Sequence, residues 1–113
     1  MNNSIANQIE LASNEFWVNL CMSLEQPKRA MNEFVVDKPL GQGNYAMVKL
    51  AKDKVSGQKC ALKTYDKYKL TDPQRRQNIK REVSILGMLE HENIVKLLGT
   101  IDTTKQVLFD SLV

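Results

Sequence analysis

Two glycines at a predicted turn are the first residues in this sequence whose type and spacing suit the binding of an anion. The turn consists of Gly41, Gln42, Gly43, Asn44 and Tyr45. Glycines at such a turn let the backbone approach phosphate oxygens and donate its N–H groups to them. A tight hairpin explains two glycines equally well. The dinucleotide-binding fingerprint is disfavoured, because that motif opens a helix, whereas residues 46–52 predict a strand.

A lysine and a glutamate could complete an anion site. Lys63 follows Ala61 and Leu62 in an apolar run that predicts a strand. An unpaired ammonium group is costly to bury, so we expect Lys63 to contact an anion. A surface lysine on an edge strand is the alternative. Glu82 lies beside the apolar stripe of a predicted helix, where that helix would pack against a sheet; considered alone, a solvated carboxylate is its commoner explanation.

The elements that must position these residues form an α+β domain. Alternation and apolar runs predict five strands, over residues 34–40, 46–52, 59–65, 94–101 and 106–109. Between the third and fourth strands, an apolar stripe predicts a helix that ends near Glu90. Its N-cap is either Asp72, followed by Pro73, or Thr71. The order of elements predicts a five-stranded antiparallel sheet with one packed helix.

The first thirty residues differ from the rest. Apolar side chains recur there at three-, four- and seven-residue spacings, and they predict an amphipathic helix over residues 4–25 that ends before Pro27. We expect this helix to pack on the domain that follows; a partner-binding or dimerising role is the alternative. The predicted organisation is a helical extension over residues 1–30 and one domain over residues 31–113.

The candidate anion-binding residues occur in a recognisable order. The glycine turn comes first, followed by Ala61 and Lys63, then Glu82, then a run from His91 with the pattern His-x-Asn-Ile-Val. As a set, these residues resemble the protein kinase family over residues 34–109. The resemblance implies the small lobe of a kinase, which binds ATP. Within the family, the helix and residues 91–98 look most like serine/threonine kinases of the calmodulin-dependent and AMP-activated group.

The resemblance implies a role toward ATP for most of these residues. The glycines would cover the phosphates, and Lys63 would contact the α- and β-phosphates and pair with Glu82. An apolar slot for adenine would be formed by Leu40, Val48 and Ala61. The full set of implied nucleotide-binding residues is Leu40, Gly41, Gln42, Gly43, Asn44, Tyr45, Val48, Ala61 and Lys63. Ala46 stands where the family has a third glycine, so we expect weaker rather than absent nucleotide binding.

The end of the sequence departs from the family pattern. The resemblance puts Phe109 at the gatekeeper position and Asp110 at the hinge, after a short fifth strand. The sequence contains neither a His-Arg-Asp nor an Asp-Phe-Gly motif, which in this family supply the catalytic base and the Mg²⁺ ligands. We therefore expect no catalytic or metal-binding residue here and no phosphoryl transfer by the chain alone, with Mg-ATP as the cofactor of the complete domain.

Three functions are compatible with these observations. The first is the ATP-binding lobe of a serine/threonine protein kinase, present as a truncated product, a partial gene model or one piece of a split gene, with the missing lobe supplied in trans. The second is an interaction module for a kinase or a regulatory protein, with a basic helix face formed by Arg75, Arg76, Lys80 and Arg81. A solvated surface is the simpler explanation of that face. The third is a product without a function of its own.

Composition disfavours several other classes. The net charge is +3 and the basic residues are scattered, so we expect no nucleic-acid partner. No apolar run reaches the roughly 18 residues of a membrane span, and we expect no membrane partner. Residues 1–4 lack the basic start of a secretory signal. The two cysteines, Cys21 and Cys60, match no metal-ligand spacing. These features predict an intracellular, cytoplasmic location.

Overall fold

The computed structural model of the protein describes residues 15–43, 45–88 and 96–112. Its first helix, α1, covers residues 15–23 of the described part. The other elements are β1 (Phe34–Gln42), β2 (Ala46–Asp53), β3 (Lys59–Asp66), α2 (Pro73–Met88), β4 (Leu97–Asp102) and β5 (Gln106–Leu112). The predicted start of the first helix at residue 4, the predicted end of the second near Glu90 and the predicted start of the fourth strand at residue 94 lie outside the described residues.

The five strands form one antiparallel sheet in the order β1-β2-β3-β5-β4. This confirms the predicted α+β fold, in which a helix follows the third strand and a helical segment precedes the first. β3 lies in the middle of the sheet, where it pairs with β2 and β5. Lys63 is therefore on a central strand, and the edge-strand alternative for this residue is excluded.

The predicted end of the fifth strand at Phe109 is wrong, because β5 continues to Leu112. Asp110 and Ser111 are weak strand formers, and their residue types favour an earlier end. Both pair with β3 in the sheet, and this pairing keeps them extended. Asp110, expected at the hinge, lies inside β5, and its role as a hinge residue stays a prediction. Ser111 lies opposite Ala61, and Phe109 lies opposite Lys63.

α2 begins with the first of the two predicted caps. The N–H of Gln74 donates to Oδ1 of Asp72 (3.0 Å), and the N–H of Arg76 donates to the carbonyl oxygen of Asp72 (3.2 Å). Pro73 occupies the first helical position, where its missing N–H and fixed φ angle are well tolerated. The helix start is therefore fixed by Asp72.

α1 packs on the domain, as predicted. Trp17 and Leu20, with Leu24 just beyond the helix, are buried in one cluster with residues of α2 and the sheet. The α2 members of this cluster are Ile79 and Val83. Trp17 is 0% exposed, and replacing such a side chain by alanine costs about 3–5 kcal/mol. The helical extension is thus part of the main core.

The chain that follows α1 covers the edge of the sheet at β4. The N–H of Arg29 donates to the carbonyl oxygen of Thr100 (2.7 Å), and the N–H of Thr100 donates to that of Pro27 (3.0 Å). A Cβ added at Gly99 would lie 3.0 Å from the Arg29 side chain and 3.1 Å from the Pro27 oxygen, so glycine permits this close approach. A covered edge is protected from pairing with other chains.

β1 is largely exposed, with Phe34 as its one buried residue. Phe34 joins a second cluster with Cys60 and Leu62 of β3. These two β3 residues alternate with Lys63, so the second cluster lies on the face of the sheet that Lys63 does not share. Residues 35–42 of β1 are exposed. The glycine turn at the end of β1 is therefore not held by either buried cluster.

Candidate functional site

The glycine turn, β2, β3 and α2 enclose a cavity of about 690 Å³. It brings together most of the residues that the resemblance implies, namely Gly41, Gln42, Gly43, Tyr45, Val48, Lys63 and Glu82. Asn44 lies outside the described residues. Leu40 and Ala61 do not line the cavity, although Ala61 lies on the same face of β3 as Lys63. Of the three residues of the predicted adenine slot, only Val48 lines the cavity.

The glycine turn is a closed hairpin. Gly41 pairs with Val48 across the two strands, and the N–H of Gly43 donates to the carbonyl oxygen of Ala46 (2.8 Å). Among the described glycines, Gly57 is the one with a positive φ, at 75°. Neither Gly41 nor Gly43 therefore requires glycine for its backbone conformation.

Packing within the protein does not require glycine in the turn either. A Cβ added at Gly41 would meet nothing within 4 Å beyond its chain neighbours, and one at Gly43 would meet the Ala46 oxygen at 3.8 Å. Side chains of directly paired residues point to the same face of a sheet. A side chain at position 41 would therefore share the face of Val48, which lines the cavity. The glycines leave open space on the cavity side of the turn.

Lys63 and Glu82 form an ion pair in the cavity wall. Nζ of Lys63 donates to Oε1 of Glu82 at 2.8 Å. The centre of the sheet positions Lys63, which lies between Val48 of β2 and Phe109 of β5. Glu82 projects from the third turn of α2. The pair joins the middle of the sheet to the helix, and it is the pair that the resemblance implies.

The exposure of this ion pair limits how much it stabilises the fold. The Lys63 side chain is 36% exposed and that of Glu82 is 49% exposed. Ion pairs of this kind stabilise a fold by about 0–1 kcal/mol. Burial lowers the pKa of Lys63, but hydrogen bonds to Glu82 and Tyr65 outweigh it, and the pKa is raised overall. The main effect of the pair is therefore to hold a protonated ammonium group at the cavity.

Arg75 is a cavity residue that the sequence analysis missed. Its guanidinium carbon lies 3.9 Å from the centroid of the Tyr45 ring, and both residues line the cavity. The Arg75 side chain is 42% exposed, which agrees with the predicted solvated basic face of α2, although it also contacts the Tyr45 ring. Arg76 lies 5.4 Å from the Phe16 ring of α1. A basic side chain in the first turn of a helix is disfavoured by the helix dipole. A basic residue at this helix position therefore indicates, from the sequence, that its side chain has a nearby partner.

The inner wall of the cavity is apolar and belongs to the main core. Leu70, Tyr65 and Ile79 line the cavity and are also members of the buried cluster that contains Trp17. The Tyr65 ring meets the Phe109 ring edge-to-face, with 5.8 Å between centroids. The predicted elements contain Tyr65 and Ile79 but not Leu70, and none of the three was predicted to be a site residue, because apolar periodicity indicates a core without showing where that core borders a cavity.

Neither cysteine lines the cavity. Cys21 and Cys60 are free and buried, and burial, with Asp110 nearby, raises the pKa of the Cys60 thiol to about 12. Within the described ranges, no group of three or more His, Cys, Asp or Glu side chains could hold a metal ion. No helix in that part of the chain has the length and apolar character needed to cross a membrane.

Comparison with known proteins identifies the family that this chain resembles. The family model of the protein kinase domain matches residues 34–111, which is most of the chain. CBL-interacting protein kinase 26 of Oryza sativa subsp. japonica is 37% identical over 79 residues, which cover 70% of this chain and 16% of that protein. CBL-interacting serine/threonine-protein kinase 1 of Arabidopsis thaliana is 40% identical over 78 residues, which cover 65% of this chain and 18% of that protein.

The similarity extends to another kinase group. Aurora kinase of Schizosaccharomyces pombe is 38% identical over 74 residues, which cover 66% of this chain and 21% of that protein. The chain thus spans between 16% and 21% of the length of these three relatives. The family match covers both partners of the Lys63–Glu82 ion pair and the whole glycine turn. The chain belongs to the protein kinase family.

Proposed function

We propose that this chain forms the ATP-binding lobe of a serine/threonine protein kinase. The observation that carries the proposal is the ion pair between Lys63 and Glu82, held at 2.8 Å in the wall of a cavity beneath the glycine turn. The serine/threonine class is taken from relatives whose names include it. The ligand is ATP, taken as Mg-ATP in the complete domain.

The chemistry of the cavity fits a nucleoside triphosphate. Its volume of about 690 Å³ lies in the range of small-ligand sites. Lys63 supplies a positive charge for the phosphates, and Gly41 and Gly43 place no side chain between the turn and the cavity. Val48 and Ala46 supply apolar surface beside these groups. Bound Mg²⁺ neutralises charge on the β- and γ-phosphates, and the residues of this chain hold and orient the nucleotide.

Phosphoryl transfer itself belongs, in this proposal, to the complete kinase domain. The sequence contains neither the His-Arg-Asp nor the Asp-Phe-Gly motif, so the base and the metal ligands must come from a second lobe, in the same polypeptide or in trans. Positioning and electrostatic stabilisation are the main sources of catalysis in this reaction. The substrate would be a serine or threonine hydroxyl of a protein. Two free cysteines and an ATP ligand fit a cytoplasmic protein.

The proposal is tested by titrating the full chain with the fluorescent ATP analogue mant-ATP. Replacing Lys63 by alanine should weaken binding about 10- to 100-fold, because a charge-assisted hydrogen bond is worth about 1.5–3 kcal/mol. Glu82→Gln should weaken it less, about two- to fivefold, since it removes only an exposed partner. Lys80→Ala removes a charge from an exposed position of α2 and should leave the affinity unchanged. No saturable binding by the wild-type chain, or equal binding by the Lys63 variant, would refute the proposal.

A further inference from the structure

An aromatic ring in the glycine turn lies against a charged side chain of α2. The guanidinium carbon of Arg75 lies 3.9 Å from the centroid of the Tyr45 ring. That distance is well within the limit of about 6 Å for attraction between a cation and a ring face. Because Arg75 is in the first turn of α2, this contact joins the β1–β2 hairpin to a helix that lies after β3 in the chain.

The position of Arg75 on the helix is unfavourable without such a partner. The N-terminal end of a helix carries a partial positive charge, which repels a cation in the first turn. Asp72 compensates only in part, because its Oδ2 lies 3.6 Å from Nε of Arg75, beyond hydrogen-bond distance. Arg75 therefore has two partners, the Asp72 carboxylate of its own helix and the Tyr45 ring of the hairpin.

The glycine turn lies at the end of the β1–β2 hairpin, which is joined to the rest of the sheet by the pairing of β2 with β3 from Ala46 onward. Residues 35–42 of β1 are exposed, and Gly41 and Gly43 have no side chain to pack. The hydrogen bond from the Gly43 N–H to the Ala46 oxygen and the pairing of β1 with β2 both lie within the hairpin. They fix its shape but not its position relative to α2. The contact between Tyr45 and Arg75 links the hairpin to the helix.

We propose that Tyr45 and Arg75 form a latch, the Tyr45–Arg75 latch, which holds the glycine turn over the cavity and makes its position depend on α2. The same helix carries Glu82, which holds Lys63 at 2.8 Å. α2 thus positions the turn through its first residues and the lysine through its third turn. Tyr45 and Arg75 are positioning residues, and only the consequence of the latch for nucleotide binding rests on the proposed function.

Direct binding of phosphate by Arg75 is the competing explanation. Arg75 lines the same cavity as Lys63, and a guanidinium group binds phosphate well. The two roles differ in their dependence on Tyr45. A latch is lost when either partner is removed, so the double substitution has no larger effect than a single one. A phosphate contact needs no ring, so loss of Arg75 would then weaken binding equally with and without Tyr45.

The latch is tested first in the full, nucleotide-free chain. The amide of Gly43 donates to Ala46 in the turn that carries Tyr45. If the contact with Arg75 restrains this turn, losing the contact lets the turn open more often, and the Gly43 amide then exchanges faster with solvent, which NMR measures. Tyr45→Ala and Arg75→Ala should each speed this exchange about two- to fivefold, as expected for an exposed cation–π contact. The double variant should match the single ones. Tyr45→Phe keeps the ring and Lys80→Ala removes a charge elsewhere on α2, so both should exchange as the wild type does.

Exchange rates that are unchanged in both alanine variants would overturn the latch, and so would additive acceleration in the double variant. The affinity for mant-ATP is then measured on the same variants, with the same two- to fivefold, non-additive loss expected. An additive loss would assign Arg75 to the phosphates and overturn the latch as the cause. If the wild-type chain binds no mant-ATP, the proposed function fails, whereas the exchange rates still decide whether the latch exists.

Discussion

Replacing Gly41 by alanine should change the stability of the fold and the affinity for nucleotide in opposite directions. The backbone at Gly41 has no positive φ, and an added Cβ would meet nothing within 4 Å, so alanine fits the folded chain. Glycine in a strand costs about 0.5–1 kcal/mol relative to alanine, because it loses more conformational freedom on folding. The Gly41→Ala variant should therefore gain about that much stability, and its melting temperature should rise by about 2–4 °C.

The same methyl group should weaken nucleotide binding. It would share the face of Val48, in the space that a phosphate needs if it is to reach the N–H groups of the turn. Forcing one extra carbon into an occupied site costs about 1–3 kcal/mol, which corresponds to binding about five- to 150-fold weaker. Stability and affinity should thus change in opposite directions, which loss of folded protein cannot produce.

Thermal unfolding followed by circular dichroism and titration with mant-ATP measure the two quantities. Gly57→Ala is the matched control, because Gly57 has a φ of 75° and does not line the cavity. A residue with a Cβ in that conformation costs about 1–2 kcal/mol. The control should therefore melt at a lower temperature than the wild type while binding mant-ATP with the same affinity.

Two results would refute this reasoning. If Gly41→Ala binds mant-ATP as tightly as the wild type, the turn does not approach the phosphates closely. If the variant is less stable than the wild type, the fold needs this glycine, and its presence says nothing about a ligand. In either case the turn would lose its role in the proposed site, whereas the ion pair between Lys63 and Glu82 would have to be tested separately.

Two further predictions concern the core. Trp17→Ala should lower the free energy of unfolding in urea by about 3–5 kcal/mol, whereas Met22→Ala, at a position 71% exposed, should change it by less than about 0.5 kcal/mol; a small effect at Trp17 would contradict the packing of α1. Burial raises the pKa of Asp110, with Cys60 and Arg29 opposing it, so its charge destabilises the fold at neutral pH. The stability of Asp110→Asn relative to wild type should therefore be greatest near pH 7 and shrink as the pH falls through the raised pKa of Asp110 towards its ordinary value of about 4, and a difference independent of pH would contradict this.

Local patterns predicted most of the sheet and placed Lys63 on a strand and Glu82 on a helix, whereas their ion pair was implied by the family resemblance. The alternation around Lys63 is a period-two signal within one strand, and the stripe around Glu82 is a period-3.6 signal within one helix, so each can be recognised from a few neighbouring residues. Their order along the chain then carried the resemblance. The cap at Asp72 was also predictable, because its partner, the Gln74 N–H, is only two residues away.

The features that the sequence did not predict depend on residues that are distant in the chain. Asp110 and Ser111 stay in a strand because β3 pairs with them, although their own propensities disfavour a strand. Arg75 belongs to the cavity because a turn between two strands places Tyr45 against it. Neither the strand pairing nor the contact between Tyr45 and Arg75 can be predicted from the periodicity of neighbouring residues. The basic residue in the first turn of a helix was a usable signal, since it conflicted with the helix dipole.

The site and the fold are held by contacts of different strength. The Lys63–Glu82 ion pair and the Tyr45–Arg75 latch are exposed, and each is worth about 1 kcal/mol or less, whereas Trp17 alone accounts for several times as much. A domain of this size is stable by about 5–15 kcal/mol. Loss of both site contacts should therefore leave the chain folded, so an affinity change in those variants reports on the site. A change at Trp17 alters the folded fraction itself, and its effect on binding is meaningful only at equal concentrations of folded protein.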